Sequence, residues 1–116
     1  MTKTVIVVIG EKKDFNALYK LFSPERDKII LLGILPREEK DHKKWWSDLF
    51  LAQEMFRNEG FRTAVSTEKG TLFVLPTLQE QINADAVAIP KTAFLNLASD
   101  EYEDFLEMTR CILIIY

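Results

Sequence analysis

Apolar residues follow two rhythms along this chain: short unbroken runs, and stripes at helical spacing. Val5 to Ile9, within Thr4–Gly10, is a run of β-branched apolar residues with no polar face left for solvent. Such a strand has to be covered on both sides, as in the middle of a parallel sheet between helix layers. Gly10 ends it and opens a loop at the carboxyl end, where open α/β sheets keep their ligand sites. Asp14 can then cap a helix carrying Phe15, Leu18, Tyr19 and Phe22 on one face, and Ser23-Pro24 stops it. Lys28–Leu35 is the second buried run. Two buried strands joined through a helix make a βαβ crossover, right-handed by strong preference.

The pattern then repeats. After Pro36 and the charge-dense connection Arg37–Lys44, the longest helix covers Asp41 to Asn58, with Trp45, Leu49, Ala52 and Phe56 on its core face. Gly60 is its stop signal. Phe61–Thr67 alternates apolar and polar, which suits an edge strand with one drier face. Leu72–Ala84 reads two ways. Leu75, Leu78 and Ile82 are helically spaced, and Pro76 is tolerable in the first turn. Alternatively Thr71–Leu75 pairs back on Thr63–Thr67 as a hairpin strand. The helix is favoured, because a parallel sheet needs a crossover before its next strand. Ala86–Ile89 is the fourth strand. Leu95, Ala98, Tyr102, Phe105 and Leu106 form a last helical stripe, with Ser99 or Asp100 as an internal start signal, and Ile112–Tyr116 is the fifth strand. Strands alternating with helices predict a three-layer α/β sandwich over one domain, residues 1–116, with a five-stranded parallel sheet of order 3-2-1-4-5.

Composition narrows the class without naming an activity. The chain has 116 residues, 47% hydrophobic and 28% charged, and a net charge of −3 with both signs interspersed. That excludes disorder and gives no basic footprint for nucleic acid. The N-terminal stretch lacks a signal-peptide pattern, and no run approaches the roughly 20 apolar residues of a membrane span. The single cysteine, Cys111, cannot form an internal disulfide and suits a reducing cytoplasm.

A family resemblance lies in the last third. Ala84 to Pro90 (Ala-Asp-Ala-Val-Ala-Ile-Pro), Leu97 to Tyr102, and Arg110 to Ile115 are similar to the closing segments of the universal stress proteins. The resemblance implies a universal-stress-protein-like (flavodoxin-like) fold and pairing through the last strand. Nucleotide-binding members carry an aspartate at the end of strand one and a glycine-rich loop after strand four, whose backbone amides approach phosphates. Here strand one ends in Ile9-Gly10, Pro90 follows strand four, Lys91–Glu107 contains no glycine, and Ala98-Ser99 stands where Gly-Ser is usual. Usual ATP binding is therefore not carried over, and no cofactor is implied.

No catalytic constellation emerges. His42 has no cysteine or second histidine beside it, so neither a metal site nor a histidine triad is expected. Cys111 precedes an apolar strand and reads as an inert thiol. Asp100, Glu101, Glu103, Asp104 and Glu107 form a solvated, dipole-matched helix start. Trp45 and Trp46 project about 100° apart, so Trp45 is expected in the core and Trp46 less buried. The ligand candidates are Gly10, Lys13, Lys91, Thr92 and Ser99, which suit a small anion. The preferred reading is a noncatalytic, cytoplasmic, stress-response module that regulates or contacts a protein partner. Ile112, Leu113, Ile114 and Ile115 form an edge without lysine, proline or bulge, which invites a homodimer. The rival is an enzyme or a nucleotide- or small-anion-binding protein with a degenerate site at Gly10 and Lys91. A phospho-receiver fits less well: only Glu11 follows strand one, and strand three closes with Thr67-Glu68.

Overall fold

The computed structural model describes residues 3–10, 14–38 and 40–116. Its elements run β1 (Lys3–Val8), α1 (Asn16–Leu21), β2 (Asp27–Leu35), α2 (Lys43–Asn58), β3 (Arg62–Lys69), α3 (Val74–Ile82), β4 (Ala86–Ile89), α4 (Lys91–Leu95), α5 (Ser99–Met108) and β5 (Ile112–Ile115). The strands form one parallel sheet in the order β3-β2-β1-β4-β5. Among the described residues no helix is long and apolar enough to cross a membrane.

β1 sits in the centre because both its faces are apolar. Val5, Val7 and Ile9 join a core with Phe15, Leu18, Leu49, Ala52 and Phe56, under α1 and α2. Ile6 and Val8 turn the other way, into a core with Leu75, Val87, Ile89 and Phe105, under α3 and α5. The period-two alternation of a strand thus feeds two helix layers. Each fully buried aliphatic side chain contributes about 1.5–3 kcal/mol. The result is a three-layer α/β sandwich.

Local chemistry sets the helix ends. Asp14 Oδ1 accepts the Asn16 amide at 3.2 Å, so Asp14 serves α1 from one residue ahead of Phe15, which takes the N-cap position. α2 closes in a Schellman turn: Gly60 has φ +90°, its amide donates to Arg57 at 2.9 Å, and the Phe61 amide donates to Phe56 at 3.1 Å. The Phe56 and Phe61 rings meet at 5.7 Å, the apolar contact that accompanies this turn.

Leu72–Ala84 resolves as the crossover helix. Pro76 is the third residue of α3, where its missing amide leaves no intrahelical bond unmade. Asn83 ends α3 in the left-handed region (φ 54°), and the Ala84 amide donates to Gln79 at 3.0 Å. The last helical stripe divides into α4 and α5, with residues 96–98 between them. Glu101 Oε1 accepts the Ala98 amide at 2.8 Å, which starts α5 at Ser99. Trp45 departs from expectation: it is half-buried and lies outside both cores, whereas Leu49, Ala52 and Phe56 are buried. One turn from the N-terminus, α2 has only begun to meet the sheet. Trp46 is 36% exposed and stacks on Phe50 at 5.7 Å.

Candidate functional site

In an open α/β sheet the natural crevice lies where neighbouring strands send their connections to opposite faces. That point falls between β1 and β4. The chain after β1 leads to α1 in the first layer, while the chain after β4 leads to α4 and α5 in the second. Gly10 and Pro90 therefore face each other across the carboxyl ends of adjacent strands.

The crevice is tight. A Cβ on Gly10 would lie 3.0 Å from Pro90 Cγ and 3.2 Å from Pro90 Cβ. Glycine is needed here for close approach to the proline ring. Pro90 is buried, caps α4, and has no amide of its own. The next amide, that of Lys91, donates to the Tyr116 carbonyl, and the Phe94 amide returns to Pro90 at 3.0 Å. Tyr116 also sends its side chain across: the hydroxyl donates to the Val8 carbonyl, and its ring lies 6.1 Å from that of Phe15. Burial pushes the Tyr116 phenol well above its ordinary value, so it stays a neutral donor. Tyr116 was not singled out from the sequence. Its only signal was a phenol closing an apolar run, a side chain that wants one polar partner when buried.

Of the residues picked from the sequence, Gly10, Lys91 and Thr92 come together at these strand ends, with the Lys91 and Thr92 side chains exposed. Lys13 lies outside the described residues. Ser99 belongs to a different helix start, the first residue of α5, where the Glu101 carboxylate already takes the Ala98 amide. Cys111 is half-buried, and burial together with Asp85 pushes its thiol upward, away from reactive thiolate character. Among the described residues, no group of three or more His, Cys, Asp or Glu side chains is placed to hold a metal ion.

The most strongly organised polar group is at the other end of the sheet. Asp27, 1% exposed, opens β2 and accepts Arg26 Nε at 3.0 Å, Arg26 Nη2 at 2.9 Å and the Ser23 amide at 2.8 Å. The Arg26 guanidinium, more than any other group, holds its carboxyl below the ordinary value. It lies at the amino ends of the strands, opposite the crevice, and pins the α1–β2 turn.

The architecture has close counterparts. It matches a universal stress protein solved in complex with cAMP, with a TM-score of 0.75 over 99% of this chain and 96% of that one, at 13% identity. A protein of the universal stress protein family from Burkholderia pseudomallei matches with a TM-score of 0.63 over 98% and 95%, at 11% identity. The fold is that of the universal stress proteins. A universal stress protein from Archaeoglobus fulgidus matches 97% of this chain with 43% of its own, at a TM-score of 0.67 and 18% identity. No protein-family model matches the chain, and no curated protein matches it in sequence. The universal-stress-protein resemblance drawn from the last third of the sequence thus extends, as fold, over nearly the whole chain.

Proposed function

We propose that this chain is a noncatalytic, universal-stress-protein-like module that regulates or contacts a protein partner. In this reading it works in the cytoplasm during stress as a homodimer joined through β5, and does not bind ATP in the usual way. The observation that carries the reading is the Pro90 ring seated on Gly10, with the adjacent Lys91 amide committed to Tyr116. A phosphate cradle needs free backbone amides and room for close approach. Here the first position after β4 has no amide, the second is occupied, and residues 91–107 contain no glycine. The β5 side of the proposal rests on its exposed apolar edge.

Isothermal titration with ATP tests the first part. The expected outcome is no saturable heat with a Kd below about 10 μM. A solved neighbour that holds cAMP supports a second reading, a nucleotide- or small-anion-binding protein using Gly10, Lys91 and Thr92. A saturable heat with ATP or cAMP in that range, abolished by Lys91→Ala, would establish this second reading in place of the first.

A further inference from the structure

β3 forms one edge of the sheet, and residues 63 to 68 are only half-buried on both of its faces. Val65 packs against the core under α1 and α2, so alternation turns Ala64, Ser66 and Glu68 to the opposite face. α3 does not fully cover that face, and the three residues remain half-buried. Between the end of β3 and the side of α3 a groove of about 460 Å³ is left open. That volume lies within the roughly 300–1,000 Å³ of small-ligand sites.

The groove has a fixed wall, an apolar floor and a charged rim. Gly70 forms the wall: its amide donates to Leu35 at 2.9 Å, and a Cβ there would lie 2.9 Å from Val74 Cγ1 at a φ of +139°. Only glycine lets this turn press against the start of α3. Phe73, Val74 and Leu78 supply apolar surface, and Thr77 supplies a hydroxyl. Among the described residues, the rim holds one cation, Arg37, and one carboxylate, Glu68. Neither is ion-paired with a described residue. Glu68 stands beside Ile34 in the register of β3 on β2, and Arg37 follows shortly after β2 ends. Neighbouring strands are about 4.8 Å apart, so two long side chains from these positions can reach a single small head group.

We propose that this groove binds a free α-amino acid with an apolar side chain. Its carboxylate pairs with Arg37, its ammonium with Glu68, and its hydrocarbon lies on Phe73, Val74 and Leu78. The balanced rim selects for a zwitterion. A phosphate or simple carboxylate meets Glu68 as a like charge, and a simple amine meets Arg37. The site lies at β3 and α3, away from the β1–β4 crevice, so it stands or falls independently of nucleotide binding.

The test is an amide-resolved NMR titration of the full chain with L-leucine and L-phenylalanine up to about 10 mM. The same titration with 4-methylpentanoate and with isopentylamine removes one charge of leucine at a time. The expected result is saturable shifts at Gly70, Thr71 and along α3, weakened at least about tenfold by either analogue, as for a site built to pair both charges. Arg37→Gln and Glu68→Gln, each with an otherwise unchanged spectrum, should weaken leucine binding to a similar extent. The analogue comparison uses the unaltered protein and does not depend on how the variants fold. Absence of shifts in the groove with both amino acids overturns the proposal, as does equal binding of 4-methylpentanoate or isopentylamine.

Discussion

A carboxylate buried at the start of a strand needs donors, and Asp27 has three from Arg26 and Ser23. Its carboxyl is held below the ordinary value, so the folded chain binds that proton less tightly than the unfolded one. The resulting stabilisation is complete above the unfolded value of about 3.9 and is lost as pH falls through the lower, folded value. Asp27→Asn should cost about 1.5–3 kcal/mol at neutral pH, the range for hydrogen bonds to a charged group. Urea melts should show the gap between wild type and variant narrowing below about pH 4; a gap that is constant with pH would show that the charge plays no part. The sequence hid this residue because an acid following Pro24, Glu25 and Arg26 looks like part of a solvated turn. Gly10 was legible as the end of a strand, but its reason was not. Contact with a proline eighty residues later has no local signature.

At the scale of elements, α2 distinguishes residues that look alike in periodicity. Trp45 and Phe56 share the helical face of Leu49 and Ala52, yet only Phe56 is fully buried. Its ring meets Phe15 at 4.9 Å, Tyr19 at 5.1 Å and Phe61 at 5.7 Å. Phe56→Ala should therefore cost about 3–5 kcal/mol. Trp45→Ala should cost clearly less, and Trp46→Ala should stay within about 0.5 kcal/mol, as surface changes do. Urea melts of the three variants check the ranking, and equal losses for Trp45 and Phe56 would reverse the burial assignment. Periodicity identifies a face but not how far along the helix the sheet extends beneath it. The break between α4 and α5 was obscure for a related reason. Residues 96–98 contain no glycine or proline, and the α5 start depends on Glu101 reaching back to Ala98. α3 was easier to read, because Pro76 and the need for a crossover both pointed to a helix.

For the whole molecule, the inner strands were readable because the first two runs and Ala86–Ile89 are apolar on both faces, as strands covered on both sides are. β5 is equally apolar yet lies at an edge, so composition alone does not separate it from them. The groove beside α3 was not readable, since it depends on which helix leaves which strand uncovered. The sheet's two edges differ in the same sense. β3 carries Arg62, Glu68 and Lys69, charges of the kind that discourage strand pairing. β5 carries only Ile112, Leu113, Ile114 and Ile115, with Ile112 62% and Ile115 39% exposed. The amides of Ile112 and Tyr116 donate inward, to Asp85 at 3.3 Å and Ile89 at 3.0 Å. In a parallel pair the alternate residues face away, so the Leu113 and Ile115 amides point out from the sheet. A second copy running antiparallel can take both by twofold symmetry, covering Ile112 and Ile115 at the same time. Light scattering should therefore return twice the chain mass. Ile115→Pro removes an outward amide without touching the bonds to β4, and Ile112→Lys places a charge in the joint. Each should shift the protein toward monomer while its thermal unfolding in dilute solution changes little. Ile114→Pro is the contrasting variant: its amide faces β4, so it should destabilise the fold itself. Wild-type protein that stays monomeric at high micromolar concentration, or an Ile115→Pro variant as dimeric as the wild type, would rule this edge out as the joint.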